Sequence, residues 1–383
     1  MKVCIVSKDL TAEPKIGFAL HVHNLAKELG KKYDVDVVSF GGMIAHEKIV
    51  RIGENVEIME IPDPFSLLLG GLSYKLFRKP TLDYFLSVSA GRNRTFKKVV
   101  TKKINGAKVV VFEGCWHAAI LNQIPKDKIV IYNAHNVEYL LKSQVYTDRF
   151  TKKYLLPRIF LLEKQLLERA DYIFALSPAD KEEFVKRYRI KPEKIIVNYT
   201  FAVDVPDKRY TRKNAHSKST VFLGSTYFAN IEAANFINSE LASSMPDYNF
   251  HILGECGKHI KKPQKNVHIH GFVSKYEKDR IIEKCGIAIA PIFHGSGICG
   301  KIIEYLAYDL PVVCTPLAFR GLGIPRELVV LSSRLDFARN IRELSKDKEL
   351  MEKLSIEGKK YFLQNRSTSA LITQWEEVLQ KHK

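Results

Sequence analysis

The run HGSGICGKIIEYLAYDLP, residues 294–311, contains the residue types that bind a phosphorylated ligand. Gly295, Gly297 and Gly300 allow the backbone to approach a ligand closely, because glycine has no side chain and adopts left-handed conformations freely. The pattern predicts a helix over Gly300–Leu310, and the first amides of a helix have no partner within it. Such amides attract phosphate, so this run is the first candidate for a binding site.

Two charged side chains follow these glycines. Lys301 brings a positive charge to the start of the predicted helix, and Glu304, about one turn later, lies on the same face and can accept hydrogen bonds from a ribose diol. An ordinary glycine turn followed by an acid near the helix start explains the same residues. The GxxxxGK[ST] spacing of a P-loop is absent, and the region around Gly17 lacks GxGxxG, which disfavours a dinucleotide dehydrogenase.

Short β-branched runs alternate with amphipathic stretches along the chain, which predicts βαβ units and parallel sheets. The predicted strands of the first half are Lys2–Ser7, Asp34–Phe40, Val56–Ile61, Lys108–Phe112, Ile129–Asn133, Tyr172–Leu176 and Lys194–Asn198. Those of the second half are Val221–Leu223, His251–Leu253, Val267–His270, Ile287–Pro291 and Pro311–Cys314. The first predicted helix, Phe18–Leu29, is expected to end at Gly30 in a left-handed conformation.

The 383 residues exceed one typical hydrophobic core, so we expect two domains. The predicted domains are residues 1–200 and 221–365, joined by a linker at 201–220 that is rich in Lys, Arg, Asp and Pro. A final helix within residues 366–383 is expected to pack back on the first domain. The repeated pattern predicts an α/β protein with two Rossmann-like domains whose parallel sheets face a cleft.

The net charge of +18 predicts a polyanionic partner: nucleic acid, an anionic membrane face or a phosphorylated substrate. Because no zinc finger, RNP motif or basic recognition helix is present, nucleic acid is the weakest of the three. The segment Ser66–Lys103 combines leucines with basic residues and so can lie on a membrane surface, although an ordinary helix and loop with solvated lysines is the simpler explanation.

The six cysteines are scattered without CxxC pairs, which suits reduced thiols in the cytoplasm. The first ten residues predict a strand and not a signal peptide, and no run has the roughly 20 apolar residues that cross a bilayer. His268 and His270 share a strand face, and Asp34 and Asp36 form a DxD pattern within a strand. Neither pair has further ligands at suitable spacing, so no metal site is predicted.

The run GSGICGKIIEYLAYDLPVV resembles the donor-binding motif of glycosyltransferase family 4. The stretches VFLGSTYFANIEAANF, YNAHNVEY and ADYIFALSPADKEEF resemble other parts of that family, so the likeness extends over nearly the whole chain. The resemblance implies a GT-B fold, a nucleotide-diphosphate sugar as donor, retention of anomeric configuration and no cofactor or obligatory metal. The acceptor stays open between a glycan, a lipid-linked molecule and another compound, and a lipid-linked acceptor would suit the basic, apolar segment Ser66–Lys103.

Residue by residue, the resemblance implies that Glu304 holds the donor ribose. Two positions depart from the family pattern: Ser296 stands where a first Glu is expected, and Gly224 is followed by Ser225, Thr226 and Tyr227 in place of an Arg and Lys pair. Lys301 is expected to supply the lost charge. The donor-binding residues implied are Gly224, Gly271, Phe272, Gly295, Ser296, Gly297, Ile298, Lys301 and Glu304.

The first domain is expected to bind the acceptor. Gly17 matches the first strand-to-helix turn of the family, and His117 resembles a histidine near the transferred sugar, although a lone histidine after a strand is often structural. His135 and Asn136 follow another strand end, where open α/β sheets place ligand sites. His117 and Glu304 are the residues to which we assign the catalytic role. Another GT-B enzyme, an epimerase or an inverting transferase, and a non-catalytic nucleic-acid-binding protein are the alternatives left open.

Overall fold

The computed structural model describes residues 1–8, 10, 17–41, 46–77, 81–199, 206, 217–295 and 298–382. These residues form two compact units, one of 1–202 with 371–383 and one of 203–370. Most of the predicted linker, 201–205 and 207–216, lies outside the described residues.

The described residues of the first unit contain a sheet of eight strands in the order β3-β4-β2-β1-β5-β6-β7-β8. All described neighbours are parallel except β3 and β4. The strands are β1 (Lys2–Ser7), β2 (Asp34–Phe40), β3 (Lys48–Arg51), β4 (Val56–Ile61), β5 (Val109–Glu113), β6 (Ile129–Ala134), β7 (Tyr172–Ala175) and β8 (Ile195–Val197).

Helices cover both faces of this sheet, because strands buried on both faces need apolar cover on each side. Alternate residues of β1 enter different cores: Val3 and Ile5 join one, and Cys4 and Val6 the other. The helices of the first half are α1 (Gly17–Gly30), α2 (Pro64–Phe77), α3 (Leu82–Ala90), α4 (Arg94–Gly106), α5 (Glu138–Val145), α6 (Leu156–Arg169) and α7 (Pro178–Tyr188). Shorter turns are 3₁₀-helical at Ala118–Gln123 and Pro192–Lys194 and π-helical at Thr151–Leu155.

The second unit contains, among its described residues, a six-stranded parallel sheet in the order β11-β10-β9-β12-β13-β14. The strands are β9 (Ser219–Leu223), β10 (Asn249–Leu253), β11 (Val267–Gly271), β12 (Ile287–Ala290), β13 (Val312–Cys314) and β14 (Val330–Leu331). The helices are α8 (Phe228–Phe236), α9 (Ala242–Ser244), α10 (Lys275–Ile282), α11 (Lys301–Ala307), α12 (Pro316–Phe319), α13 (Phe337–Lys346) and α14 (Lys348–Asn365). A π-helical turn, Ile237–Leu241, joins α8 to α9, and 3₁₀ turns lie at Glu255–His259 and Arg326–Leu328.

The last helix, α15 (Thr368–Gln380), belongs to the first unit although it follows the second in sequence. Trp375 stacks on Phe174 of β7 with ring centroids 4.1 Å apart, and its indole N–H donates to Asn198 at 3.2 Å. A buried aromatic pair of this size, with its polar atom satisfied, fixes α15 firmly to the sheet.

The expectation that Gly30 ends α1 in a left-handed conformation is wrong. Gly30 is the last residue of α1 and is not among the described glycines with positive φ. A Cβ on Gly30 would lie 2.3 Å from Cγ2 of Val56. Glycine is therefore needed there because α1 ends against β4, and the conformational argument does not apply.

The order of strands reverses once in each sheet, and this determines where ligands can enter. In the first unit the chain runs outward from β1 through β2 on one side and from β5 on the other; in the second it runs outward from β9 and β12. At such a point the loops after neighbouring strands diverge and leave a crevice at the carboxyl ends. The residues that follow β1, β5, β9 and β12 are therefore the natural places for a site.

Candidate functional site

The strand ends of the second unit bring three glycines together. Gly224 follows β9, Gly254 follows β10, and Gly271 ends β11. The Gly254 amide donates to the Gly271 carbonyl at 2.6 Å, while a Cβ on Gly254 would lie 2.2 Å from the Gly224 carbonyl oxygen. Gly254 and Gly271 have φ of 98° and 65°, conformations that L side chains rarely adopt. The crevice at this sheet edge is thus lined by backbone, as close approach to a ligand requires.

Gly254→Ala is expected to lower the free energy of unfolding of the second unit by at least about 3 kcal/mol, because the new methyl group meets a carbonyl and the backbone is left-handed. Urea unfolding measures this change. Gly106→Ala is the matched control, since a Cβ there meets nothing within 4 Å and its φ is ordinary. If the Gly254 variant is as stable as the control, the close packing of these turns is not real.

Lys301 lies at the start of α11 and points into the same region. Its Nζ donates to Oδ1 of Asn230 at 2.6 Å and lies 4.2 Å from the ring centroid of Phe222, which belongs to β9. Burial lowers the pKa of Lys301. Within the described part of the chain this ammonium forms no ion pair, although the charge of Glu304 acts on it from further away, and a partly buried cation whose hydrogen-bond partner is neutral is costly. An anionic ligand would offset that cost.

Glu304 follows on the next turn of α11. Its carboxylate pairs with the Lys278 ammonium at 2.8 Å, and both side chains are mostly buried. The ion pair holds the carboxylate in place, and a carboxylate has about four lone-pair sites, so it can still accept from a diol. The second unit therefore places a cation and an acceptor group one turn apart beside the glycine turns.

The expected helix Gly300–Leu310 is shorter, Lys301–Ala307. Two of the amides at its start are already used, since Gly300 donates to Ile298 at 3.0 Å and Ile302 to Cys299 at 3.1 Å. The binding capacity of this turn consequently depends more on Lys301 and Glu304 than on free amides.

The other predicted donor residues have different outcomes. Gly295 has φ 130° and approaches Tyr227 and Ala229, where a Cβ would make 3.4 Å contacts. Phe272 is 66% exposed directly after Gly271, so its ring is available to a flat ligand. Ile298 is half-buried, while Ser296 and Gly297 lie outside the described residues.

The first unit gathers polar groups at its own strand ends. His135, after β6, bonds through Nε2 to Oε2 of Glu113 at 2.7 Å, and its ring packs 4.5 Å from that of Phe18, which follows Gly17 in α1. Asn136 is half-buried, and its side chain hydrogen-bonds Glu138. Gly17, His135 and Asn136 therefore lie in one neighbourhood at the carboxyl end of the sheet.

His21, Glu113 and His135 have the spacing of a metal-ligand set, with one candidate atom from each within 4.8 Å of the others. The amide nitrogen of Asn133, however, lies 2.9 Å from Nε2 of His21 and 3.0–3.1 Å from the two oxygens of Glu113. The amide donates where a cation would have to bind, so the geometry is that of a hydrogen-bond network. Burial raises the pKa of Glu113 to about 7 and lowers that of His21 and of His135 to about 3.

The histidine pair of β11 and the DxD pattern of β2, neither of which is predicted to bind a metal, make hydrogen bonds or ion pairs within the protein. His270 bonds to Nδ1 of His251 at 3.0 Å, and His268 bonds to Asn249 at 2.9 Å. Asp36 is buried on β2 and pairs with Lys103 at 2.8 Å.

His117 is wholly buried between the rings of Phe40 and Phe96, with centroids 6.2 and 5.5 Å away. Neither ring nitrogen makes a full hydrogen bond within the described residues. Burial, with the nearby charge of Lys8, lowers the pKa of His117 to about 3. The imidazole is therefore neutral at pH 7.

His117→Leu is expected to change how stability depends on pH. The unfolded chain protonates this ring below its ordinary pKa of 6.5, but the folded chain does so only near 3, so His117 makes the wild type lose stability as pH falls through that window. Relative to wild type, the variant should gain about 1.4 kcal/mol for each pH unit below 6.5. Urea unfolding from pH 7.5 to 4.5 measures the difference, and a constant difference would show that His117 titrates normally.

Sequence reasoning missed several residues of these sites, among them Glu113, which holds His135. Lys8 follows β1, pairs with Asp83 and lies 5.4 Å from the Trp116 ring, and its charge acts on both His117 and His135. Asn230 and Lys278 hold Lys301 and Glu304 from 71 and 26 residues away, and no local pattern signals such pairings. Gly254 could have been found, because it follows a strand as Gly224 does.

Both units match models of known families. Residues 17–202 match the family described as Glycosyltransferase Family 4, and residues 217–347 match the one described as Glycosyl transferases group 1. Both units have Rossmann-like sheets with a polar site at the switch point. Together with the two family matches, this identifies the chain as a glycosyltransferase with the GT-B fold, which confirms the predicted fold class. It belongs to glycosyltransferase family 4 and transfers a sugar from a nucleotide-diphosphate sugar.

Solved structures share the fold at low sequence identity. Sucrose-phosphate synthase from Thermosynechococcus elongatus is 15% identical with a TM-score of 0.70, covering 99% of this chain and 98% of that one. TarM of S. aureus, in a complex with UDP, is 12% identical with a TM-score of 0.67, covering 98% and 99%. HepE of Anabaena, in complex with UDP and glucose, is 13% identical with a TM-score of 0.65, also covering 98% and 99%. No curated protein sequence matches the chain.

None of the described helices combines the length and the apolar character needed to cross a bilayer.

Proposed function

We propose that this protein transfers a hexose from a UDP-sugar to a glycan or lipid-linked acceptor, with retention of anomeric configuration and without an obligatory metal ion. The observation that carries the proposal is the placement of Lys301 and Glu304 one turn apart beside the glycine turns at the switch point of the second sheet. UDP is proposed as the nucleotide because HepE and TarM were solved with it.

In this scheme the second unit holds the donor. Lys301 neutralises the diphosphate, and Glu304 accepts hydrogen bonds from the ribose hydroxyls. Gly224, Gly271 and Gly295 give the ligand access to the backbone, together with Ser296, Gly297 and Ile298, while Phe272 offers a ring beside the base. Charge that develops on the leaving diphosphate is stabilised as it forms, which is the largest contribution of most such sites.

The first unit is proposed to bind the acceptor around Gly17, His117, His135 and Asn136. The imidazole of His117 is neutral but wholly buried in this structure, so it would have to become exposed to reach the acceptor, whereas the Glu113 carboxyl group fixes the ring of His135. The acceptor hydroxyl attacks on the face from which the nucleotide leaves, and a phosphate oxygen of the leaving group takes its proton, so a carboxylate pair such as glycosidases use is not required.

All six cysteines are free thiols, which suits the cytoplasm that we propose as the location.

A thermal-shift screen against UDP-, GDP- and ADP-sugars tests the donor assignment. Because a ligand that binds only the folded state stabilises it by mass action, the matching donor should raise the melting temperature and the others should not. Equal shifts with all three would contradict recognition of the nucleotide base.

Two further experiments address the alternatives. NMR of the product anomer separates a retaining transferase from an inverting one or an epimerase, and a gel shift at physiological salt tests the nucleic-acid alternative.

A further inference from the structure

Helix α2 (Pro64–Phe77) exposes large apolar side chains to solvent, whereas a surface helix normally buries them. Leu68, Leu72 and Leu76 are 70%, 53% and 68% exposed, and Phe65, which precedes them at the same spacing, is exposed as well. Residues at this three- and four-residue spacing share one face of a helix. The four side chains, which we name the α2 stripe, therefore form one continuous apolar strip on the surface of the first unit.

The inner face of α2 carries small residues instead. Ser66, Gly70 and Ser73 are buried. A Cβ on Gly70 would lie 3.1 Å from Cα of Leu82, so α2 and α3 approach closely there. Amphipathic helices of globular proteins normally turn their large apolar residues inward. In α2 the largest exposed side chains are apolar, and Leu67 and Leu69 are only half-buried beside the small inner residues.

Polar contacts fix α2 in this orientation. The buried carboxylate of Asp63 accepts from the Ser66 amide at 3.3 Å and from the Ser89 hydroxyl of α3 at 2.7 Å. Rolling the helix to hide its leucines would break these bonds and leave a buried carboxylate unsatisfied, which costs on the order of 1–3 kcal/mol or more. The outward stripe is thus the arrangement that the packing enforces, and an exposed patch of this kind marks an interaction site.

Charge identifies what covers the stripe. Residues 64–106 contain one acid, Asp83, and nine Lys and Arg, of which Lys103 is paired with Asp36 and Glu57. Asp83 is engaged by the ammonium groups of Lys8 and Lys142, so it does not offset the positive surface. Lys75 is exposed on α2, one turn from Leu72, and Arg78 and Lys79 follow the helix directly in sequence.

We propose that α2 docks this protein on a membrane surface containing anionic lipids, with the α2 stripe in the acyl-chain boundary and Lys75 at the headgroups. A helix lying in the interface gains from burial of its apolar face and from attraction between cations and anionic lipid. A second copy is the weaker occupant, because two chains that each carry a net charge of +18 repel one another. This inference is independent of the proposed donor and acceptor sites.

The test is co-sedimentation of the full chain with vesicles of phosphatidylcholine alone or mixed with phosphatidylglycerol. The wild type should bind the mixed vesicles and release them at high salt. Replacing Leu68, Leu72 and Leu76 by Gln should lower the partition coefficient roughly 100-fold, because three leucines lose their burial in lipid. Lys75→Gln should lower it about fivefold on the mixed vesicles and leave weak binding to phosphatidylcholine unchanged.

The matched control replaces Leu161, Leu335 and Leu363 by Gln, since these leucines are also more than half exposed but lie outside α2. It should bind like the wild type, and circular dichroism should show both triple variants folded. Equal binding by the two triple variants, or equal binding to both kinds of vesicle, would overturn the proposal. So would wild-type self-association in light scattering that the α2 variant abolishes, because the stripe would then join two copies.

Discussion

Glu304→Ala is expected to lower kcat/KM for transfer roughly 100-fold, equivalent to about 3 kcal/mol of lost binding in the transition state. In our scheme the carboxylate accepts hydrogen bonds from both ribose hydroxyls of the donor, and charge-assisted bonds of this kind are about twice as strong as neutral ones. Glu304 is mostly buried and held by Lys278, and alanine at this position has no group that could accept the hydrogen bonds of the ribose. Steady-state transfer kinetics with the donor varied measure the loss.

A donor lacking both ribose hydroxyls separates this role from a structural one. The wild type and Glu304→Ala should use that donor equally poorly, because the partner of the carboxylate is already missing. Lys278→Gln breaks the ion pair but leaves the carboxylate in place, so its effect should be smaller. Glu352→Ala, an exposed acid on α14, is the control for loss of a negative charge. Undiminished transfer by Glu304→Ala would remove this residue from the site.

Lys301→Ala is expected to have a larger effect, a loss of kcat/KM on the order of 1000-fold, because the ammonium balances charge on the diphosphate as it leaves. Burial lowers the pKa of Lys301 in the free protein, and a bound diphosphate would raise it again. Calorimetric titration with UDP and with uridine tests this directly. The variant should lose most of its affinity for UDP and keep that for uridine.

Lys301→Arg tests whether a positive charge at this position is enough for transfer activity. The planar guanidinium is wider than the ammonium that fits between Asn230 and the Phe222 ring, so this variant should recover only part of the activity. Lys353→Ala, at an exposed position of α14, controls for the change in net charge. If Lys301→Ala lost affinity for uridine and UDP in equal measure, the lysine would act on folding of the site and not on the phosphates.

The regular elements could be predicted closely because buried parallel strands are short, β-branched and bounded by polar turns. The strands Lys2–Ser7, Asp34–Phe40 and Val56–Ile61 have the predicted limits. The edge strands β3 and β14 were missed. Lys48–Arg51 is largely exposed and Val330–Leu331 has two residues, so neither carries the apolar run by which a strand is recognised.

The site was predictable only where function is local in sequence. The glycine turn, Lys301 and Glu304 lie within a dozen residues, and the resemblance to a family marked them. Their partners Asn230 and Lys278 come from other helices, and the orientation of α2 depends on the bonds of Asp63 and on the close approach of Gly70 to α3. Such pairings depend on how the elements pack, which a pattern along the chain does not contain.

Hydrogen–deuterium exchange of the full chain with and without UDP tests most directly whether the nucleotide binds the second unit. We predict slower exchange in peptides covering residues 293–306 and in those that follow β9 and β11. Protection by UDP elsewhere, with the segment of Lys301 and Glu304 exchanging as fast as in the free protein, would contradict this prediction.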